Sequence, residues 1–192
     1  MIVGLTWDAP LHRSFADQIL AMLERIIGVF QLDVPTFEQI EHDTTATGQA
    51  AGVVAIAAVC QAIGSAISAS IAGGGVGSNF LVTLIFAFIG WIVWSALTYW
   101  VGTSLYDAEA DLGEMLRVIG FAQAPLILAI IPCLGALVGG IWALVAGFIA
   151  VRQGLDLDNT KTFVTIIVGF LAYVAIVAIG SLFTGGMSAI FG

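Results

Sequence analysis

The run VIGFAQAPLILAIIPCLGALVGGIWALVAGFIAV, Val118 to Val151, holds 34 residues without a charged side chain, between Arg117 and Arg152. Pro125, Pro132-Cys133 and the pair Gly139-Gly140 interrupt it. An apolar run this long cannot be hidden in the core of a 192-residue soluble chain, so its solvent is lipid. It holds too many breakers for one straight helix, and both flanking arginines need the same wet side. The reading is a helical hairpin that enters the bilayer, turns near Pro132 and returns.

The rest of the chain repeats the pattern. Apolar residues make up 60% of it and charged residues 9%, and the mean hydropathy is +1.08, outside the soluble globular class. All charged residues fall in three blocks, 1–43, 107–117 and 152–161, leaving 44–106, 118–151 and 162–192 uncharged. Those three segments hold roughly five spans of about 20–25 residues. At 1.5 Å per residue the central run falls short of two 30 Å crossings, so the third span is expected to start near Asp111. The expected fold is all-α: a polytopic membrane bundle of five transmembrane helices with an N-terminal amphipathic helix. A cytoplasmic N-terminal region, 1–43, precedes a membrane domain, 44–192.

The net charge of −8, with five Lys plus Arg, excludes a nucleic-acid partner. Cys60 and Cys133 sit in apolar segments without a CxxC or His-rich neighbourhood. They read as small buried hydrophobes, implying neither disulfide nor metal. The first 43 residues carry charges throughout and show no apolar stretch of a cleavable signal peptide. Met22 is a candidate start beside Met1.

From Leu11 a helical period runs through Phe15, Ile19, Met22, Leu23, Ile26, Ile27 and Phe30, with Ser14 and Asp17 as a capping pair. That apolar face suits either lipid or the protein's own helices. Pro35 ends this helix, and Glu38, Glu41, His42 and Asp43 after it read as a solvated face, with no metal site. In the first span, Thr45 to Ala72, small residues recur four apart, as at Gly64/Ser68. This predicts an interior helix or an oligomer seam, with Gln61 as interhelical hydrogen-bond glue. The glycine loop at 73–79 lacks the Lys and the strand of a phosphate-binding loop. The second span, Phe80 to Leu105, is bulky and aromatic, with Trp91 and Trp94 expected on the small face of the first.

Asp107, Asp111 and Glu114 are expected to share one helical face, and Glu114 to pair with Arg117 at i, i+3. In the third span Pro125 removes a donor and frees the Phe121 carbonyl beside Gln123, a break that serves either a bend or a membrane site. Gly135, Gly139, Gly140 and Gly147 make the fourth span a closely packing helix. Asp158, Asn159 or Thr160 caps the fifth, from Thr162 to Thr184. All five Lys and Arg lie on one parity of loops. By the positive-inside rule the N-terminus is cytoplasmic and the C-terminus outside, in a multi-pass protein of the cell membrane. A re-entrant hairpin at Val118–Val151 would fit the charges equally.

The run from Arg117 through Gly120, Phe121 and Gln123 to Pro125, with Pro132, Trp142 and the Gly154-Leu-Asp-Leu loop into Lys161, resembles the prokaryotic branch of the Yip1-domain family. Upstream, Glu24 to Phe30 and Pro35 to Ile40 are similar to the start of such proteins, so the resemblance covers about residue 22 to the end. It implies a five-span membrane domain with a cytoplasmic N-terminus. Eukaryotic relatives are associated with Rab GTPases and vesicle traffic. This chain lacks a good match to their acidic-Leu-Tyr-Gly cytosolic motif, so GTPase binding is not carried over.

Neither an HExxH motif, a membrane aspartate pair nor a Ser/His couple is present, so no enzyme and no cofactor is expected. The expectation is a scaffold or adaptor in membrane organisation or trafficking-like processes, meeting the bilayer and other membrane proteins or copies of itself. The alternative is a small transporter or channel using the broken third span, Gln123 and Pro125, with Gln61. The residues singled out are Gly120, Phe121, Gln123, Pro125, Gln61, Glu114 and Arg117. A mid-membrane cavity reaching Gln61 or Gln123 would favour transport, and tight packing there the scaffold.

Overall fold

The chain buries its first two helices in the same core as its membrane spans. The computed structural model describes residues 15–73 and 80–191, the side chains of residues 15, 80, 82–83 and 176–191 excepted. The expected Ser14 capping pair and the glycine loop at 74–79 lie outside the described residues. Seven α-helices and no strand are present among those described: α1 (Phe15–Phe30), α2 (Val34–His42), α3 (Ala46–Ile71), α4 (Phe80–Tyr106), α5 (Leu112–Ala122), α6 (Leu134–Gly154) and α7 (Asn159–Phe191). A 3₁₀ segment, Ala124–Ile130, lies between α5 and α6.

Four stretches are long and apolar enough to cross a membrane: Ala46–Ile71, Leu84–Tyr106, Leu112–Ile130 and Leu134–Gly154. A fifth apolar helix begins at Asn159 and is described with its side chains to Ala175. The third stretch is the most buried of the four. It begins at Leu112, as the length deficit required. Its 3₁₀ part rises about 2.0 Å per residue in place of 1.5 Å, which lets only 19 residues reach roughly 30 Å.

Local chemistry sets the helix ends. Asp111 accepts from the Glu114 amide at 2.9 Å, and Glu114 returns a carboxylate to the Asp111 amide at 2.8 Å, a complete capping box for α5. Residues 107–111 are not helical, so the expected three-carboxylate stripe does not form; Asp107 sits at φ +49°. At the end of α1, the Asp33 amide bonds back to the Gly28 carbonyl and Leu32 to Val29, with Leu32 at φ +56°. The end of α6 repeats this through Leu157 to Arg152 and Asp156 to Gln153, with Asp156 at φ +48°. Both are Schellman caps in which a non-glycine residue takes the left-handed position. Asp158 caps α7 by accepting from the Thr160 and Lys161 amides.

α2 corrects the solvated-face expectation at one of its four residues: Glu38 and His42 are exposed and Asp43 is half-buried, but Glu41 turns inward. Phe37 and Ile40 are fully buried, Glu41 is buried, and all three lie on the face that meets α5 and α6. The main core joins Val29, Phe37 and Ile40 to Ala50, Val53, Met115, Phe121, Ala146 and Val151. α1 divides its apolar residues. Met22, Ile26, Val29 and Phe30 pack inward, while Ile19, Leu20, Leu23 and Ile27 stay exposed.

Candidate functional site

Two groups of polar residues gather in the bundle, one at its charged end and one at mid-depth. At the charged end, Arg117 is only 5% exposed and donates from Nε and Nη2 to the Glu41 carbonyl at 2.9 and 2.5 Å. That oxygen belongs to the last turn of α2, where helical carbonyls have no partner of their own. The expected Glu114–Arg117 pair is absent, because Glu114 is committed to the α5 cap and Arg117 to α2. Arg25 reaches Gln49 at 2.6 Å and also the Asp43 carboxylate. Arg152 donates to Asn159 at 3.3 Å, and Lys161 lies 5.7 Å from the centre of the Tyr106 ring. These contacts bring all four described cations to the same end of the bundle.

The acids there are unequal. Burial pushes the Glu41 carboxyl up to about 7, and the nearby carboxylates Asp156, Glu114 and Glu38 add to the rise against His42. For Asp43 burial acts upward, but hydrogen bonds from Thr45 and Arg25 outweigh it and hold the group down at about 2. Among the described residues no group of three His, Cys, Asp or Glu could hold a metal ion.

At mid-depth a cavity of about 350 Å³ opens among α3 to α7, lined by Gln61, Gln123, Trp91, Trp94 and Tyr173 among others. Gln61 lies about 22 Å along α3, and Gln123 about 17 Å along the third span. Gln61 donates to Ala57 of its own helix at 3.3 Å, so it does not tie two helices together. Gln123 makes no side-chain hydrogen bond to any described residue. Trp91 donates from Nε1 to the Leu116 carbonyl at 3.0 Å and packs its edge against Phe88. Trp94 packs edge-on against Tyr173 of α7.

The remaining residues singled out serve packing. A Cβ at Gly120 would stand 2.8 Å from Ala50 Cβ and 3.1 Å from the Trp91 indole nitrogen, so glycine makes room for that indole. Phe121 is fully buried, and the Gln123 amide beyond it bonds back to the Gly120 carbonyl at 3.2 Å. Pro125 is buried, and beyond it the 3₁₀ carbonyls press on glycines. Ideal Cβ atoms at Gly64, Gly135 and Gly139 would lie 1.8, 2.0 and 2.6 Å from the oxygens of Ala129, Leu128 and Pro125. The small stripe of α3 is therefore interior here. Cys133, expected to be buried, is exposed in the turn before α6.

The Yip1 domain model matches residues 27–181. The chain belongs to the Yip1 family. The match in this Yip1 protein starts inside α1, takes in α2 and the five apolar helices up to residue 181, and covers both polar groups except Arg25. Comparison with curated proteins and with solved structures finds no match.

Sequence reasoning missed Glu41 as Arg117's acceptor, because a backbone carbonyl leaves no signature. It also missed Gly90, which lines the cavity, and took Gly147 and Gly140 for close-packing glycines, whereas a Cβ at either meets nothing within 4 Å and Gly147 lines the cavity too. Their signal was present in the composition, as glycines inside long apolar helices.

Proposed function

We propose that this Yip1 protein is a non-enzymatic integral membrane protein acting by association, as a scaffold or adaptor in membrane organisation or trafficking-like processes. The observation that supports this reading best is the state of α1. It is fixed to the bundle by Arg25 to Asp43 and by Trp142, which donates to the Phe30 carbonyl at 3.0 Å, yet Ile19, Leu20, Leu23 and Ile27 remain exposed. A rigidly held helix with one apolar strip fits the membrane interface or a partner helix. The partners are the bilayer and other membrane proteins or a second copy; GTPase binding is not proposed. The topology that accompanies this reading is five crossings of the cell membrane, with the N-terminus cytoplasmic and the C-terminus outside, in keeping with the four cations gathered at one end. Affinity capture from native membrane tests it. A reproducible partner lost on Leu20→Ser/Leu23→Ser/Ile27→Ser supports association, and recovery of none counts against it.

A second reading, a small transporter or channel, is favoured by the cavity meeting both Gln61 and Gln123 at mid-depth. Flux of a neutral solute through proteoliposomes, abolished by Gln123→Leu, is its expected signature.

A further inference from the structure

Two kinds of glycine stand apart in this bundle. Gly64, Gly135 and Gly139 are required, since a Cβ at any of them would collide with a backbone oxygen. Gly90 of α4 and Gly147 of α6 are not, since a Cβ at either would meet nothing within 4 Å. Both line the mid-depth cavity, facing it from different helices. Glycine within a helix is about 1 kcal/mol less favourable than alanine, and here no neighbour demands it. What these two positions preserve is empty volume.

The lining defines what that volume suits. Phe86, Trp91, Trp94 and Tyr173 offer aromatic surface, and Gln61 and Gln123 offer carboxamides able both to donate and to accept. Among the described residues no charged side chain lines the cavity. An ionised headgroup there would stand in a low-dielectric site without a counter-charge, which is strongly unfavourable. Apolar walls with a few convergent polar groups are the usual anatomy of a small-molecule pocket.

We propose that this cavity binds an uncharged, lipid-soluble molecule with a ring that carries a carbonyl or hydroxyl oxygen. The ring lies against Trp91 and Trp94 and the oxygen meets the carboxamide of Gln123. The site shares its cavity with the transport reading but requires no passage across the membrane. Binding without flux removes that reading and leaves the site standing, whereas flux without saturable binding of a ring compound does the reverse.

The test places the full chain in nanodiscs of uncharged phosphatidylcholine and follows adduct formation by native mass spectrometry. A short-tailed benzoquinone is the carbonyl probe, cholesterol the hydroxyl probe and dodecyl phosphate the charged control. The expected result is saturation at one molecule per chain by the benzoquinone or by cholesterol, which also tells the two sources apart. Binding is expected to weaken at least tenfold in Gln123→Leu and to disappear in Gly147→Leu, with the thermal midpoint of Gly147→Leu no lower than that of the wild type. Gly90→Leu fills the same space from α4 and serves if the α6 variant fails to fold. Uptake by neither probe, uptake that never saturates, or uptake unchanged in the filled variant overturns the proposal. Displacement of the ring probe by dodecyl phosphate at equal concentration does so too.

Discussion

Arg117 and Glu41 meet through the wrong atoms for an ion pair: the guanidinium of the membrane helix forks onto the backbone oxygen of the short helix, not its carboxylate. The contact spans 76 residues of sequence and is buried. It supplies donors to a helix end that has none of its own and places a cation where the helix dipole favours one. Arg117→Ala leaves that carbonyl buried and unpaired, with an expected loss of about 3 kcal/mol. Arg117→Lys keeps the charge without the planar fork and falls between the two. Thermal unfolding in detergent ranks the three, and hydrogen exchange at the Glu41 and His42 amides should quicken in the same order. Unaltered exchange in Arg117→Ala would remove the capping role.

Glu41 makes stability depend on pH in a definite direction. Its carboxyl is raised from 4.5 to about 7, so the folded chain holds this proton more tightly than the unfolded one. The contribution is complete below pH 4.5 and is lost as pH rises through about 7. Asp43 acts oppositely: its contribution is present above its ordinary 3.8 and lost as pH falls through about 2. Between pH 5 and 8 only Glu41 of this pair titrates. The wild-type midpoint should fall across that range, Glu41→Gln should flatten the fall, and Asp156→Asn should make it smaller and move it to lower pH, by removing a carboxylate whose repulsion favours the protonated Glu41. Removing Asp156 brings Glu41 back toward its ordinary value, so less stability is forfeited on deprotonation and the loss is complete at a lower pH than in the wild type. Parallel wild-type and Glu41→Gln curves would rule Glu41 out as the source.

The glycine contacts around the 3₁₀ segment predict opposite outcomes for similar substitutions. Gly64→Ala and Gly135→Ala each put a methyl group within 2.0 Å of a backbone oxygen, so a helix must shift, with an expected loss of about 3 kcal/mol or more. Gly140→Ala meets nothing within 4 Å and replaces a poor helix former, so it should be neutral or stabilising by up to about 1 kcal/mol. Thermal midpoints of the three variants decide this. Equal effects at Gly64 and Gly140 would mean that the close backbone approach is not what holds the third span.

How far the residues alone disclosed this arrangement depends on the kind of contact. The spans were legible because uncharged runs and lipid thickness leave few solutions, and α3, α4 and α6 begin and end within a few residues of their expected limits. The Pro125 break was legible as a break, because a missing N–H is a local fact. That it becomes a 3₁₀ segment between the glycines of α3 and α6 was not, since that depends on partners about 60 residues before and ten after it. Glu114 and Arg117 have the right spacing for a pair, but each finds a stronger partner, one in its own cap and one on α2. Gln61 and Gln123 stand out as amides in apolar helices, and the transport alternative joins them in one path; that they line one cavity takes the tertiary fold.

Cys133 offers a direct test of the proposed topology. It is exposed in the turn before α6, at φ +60°, about 30 Å along that helix from the Arg152 end. If the third and fourth spans both cross, with the cations in the cytoplasm, this thiol faces the outside. In a Cys60→Ala background, which removes the other cysteine, a membrane-impermeant maleimide applied to intact cells should label the protein without permeabilisation. A re-entrant hairpin would leave Cys133 unlabelled from outside until the bilayer is dissolved, and an inverted protein would label only from the cytoplasmic face. Either result would redraw the crossings, and inversion would also move the exposed strip of α1 to the opposite surface, because α1 is tied to the same end of the bundle as Arg117.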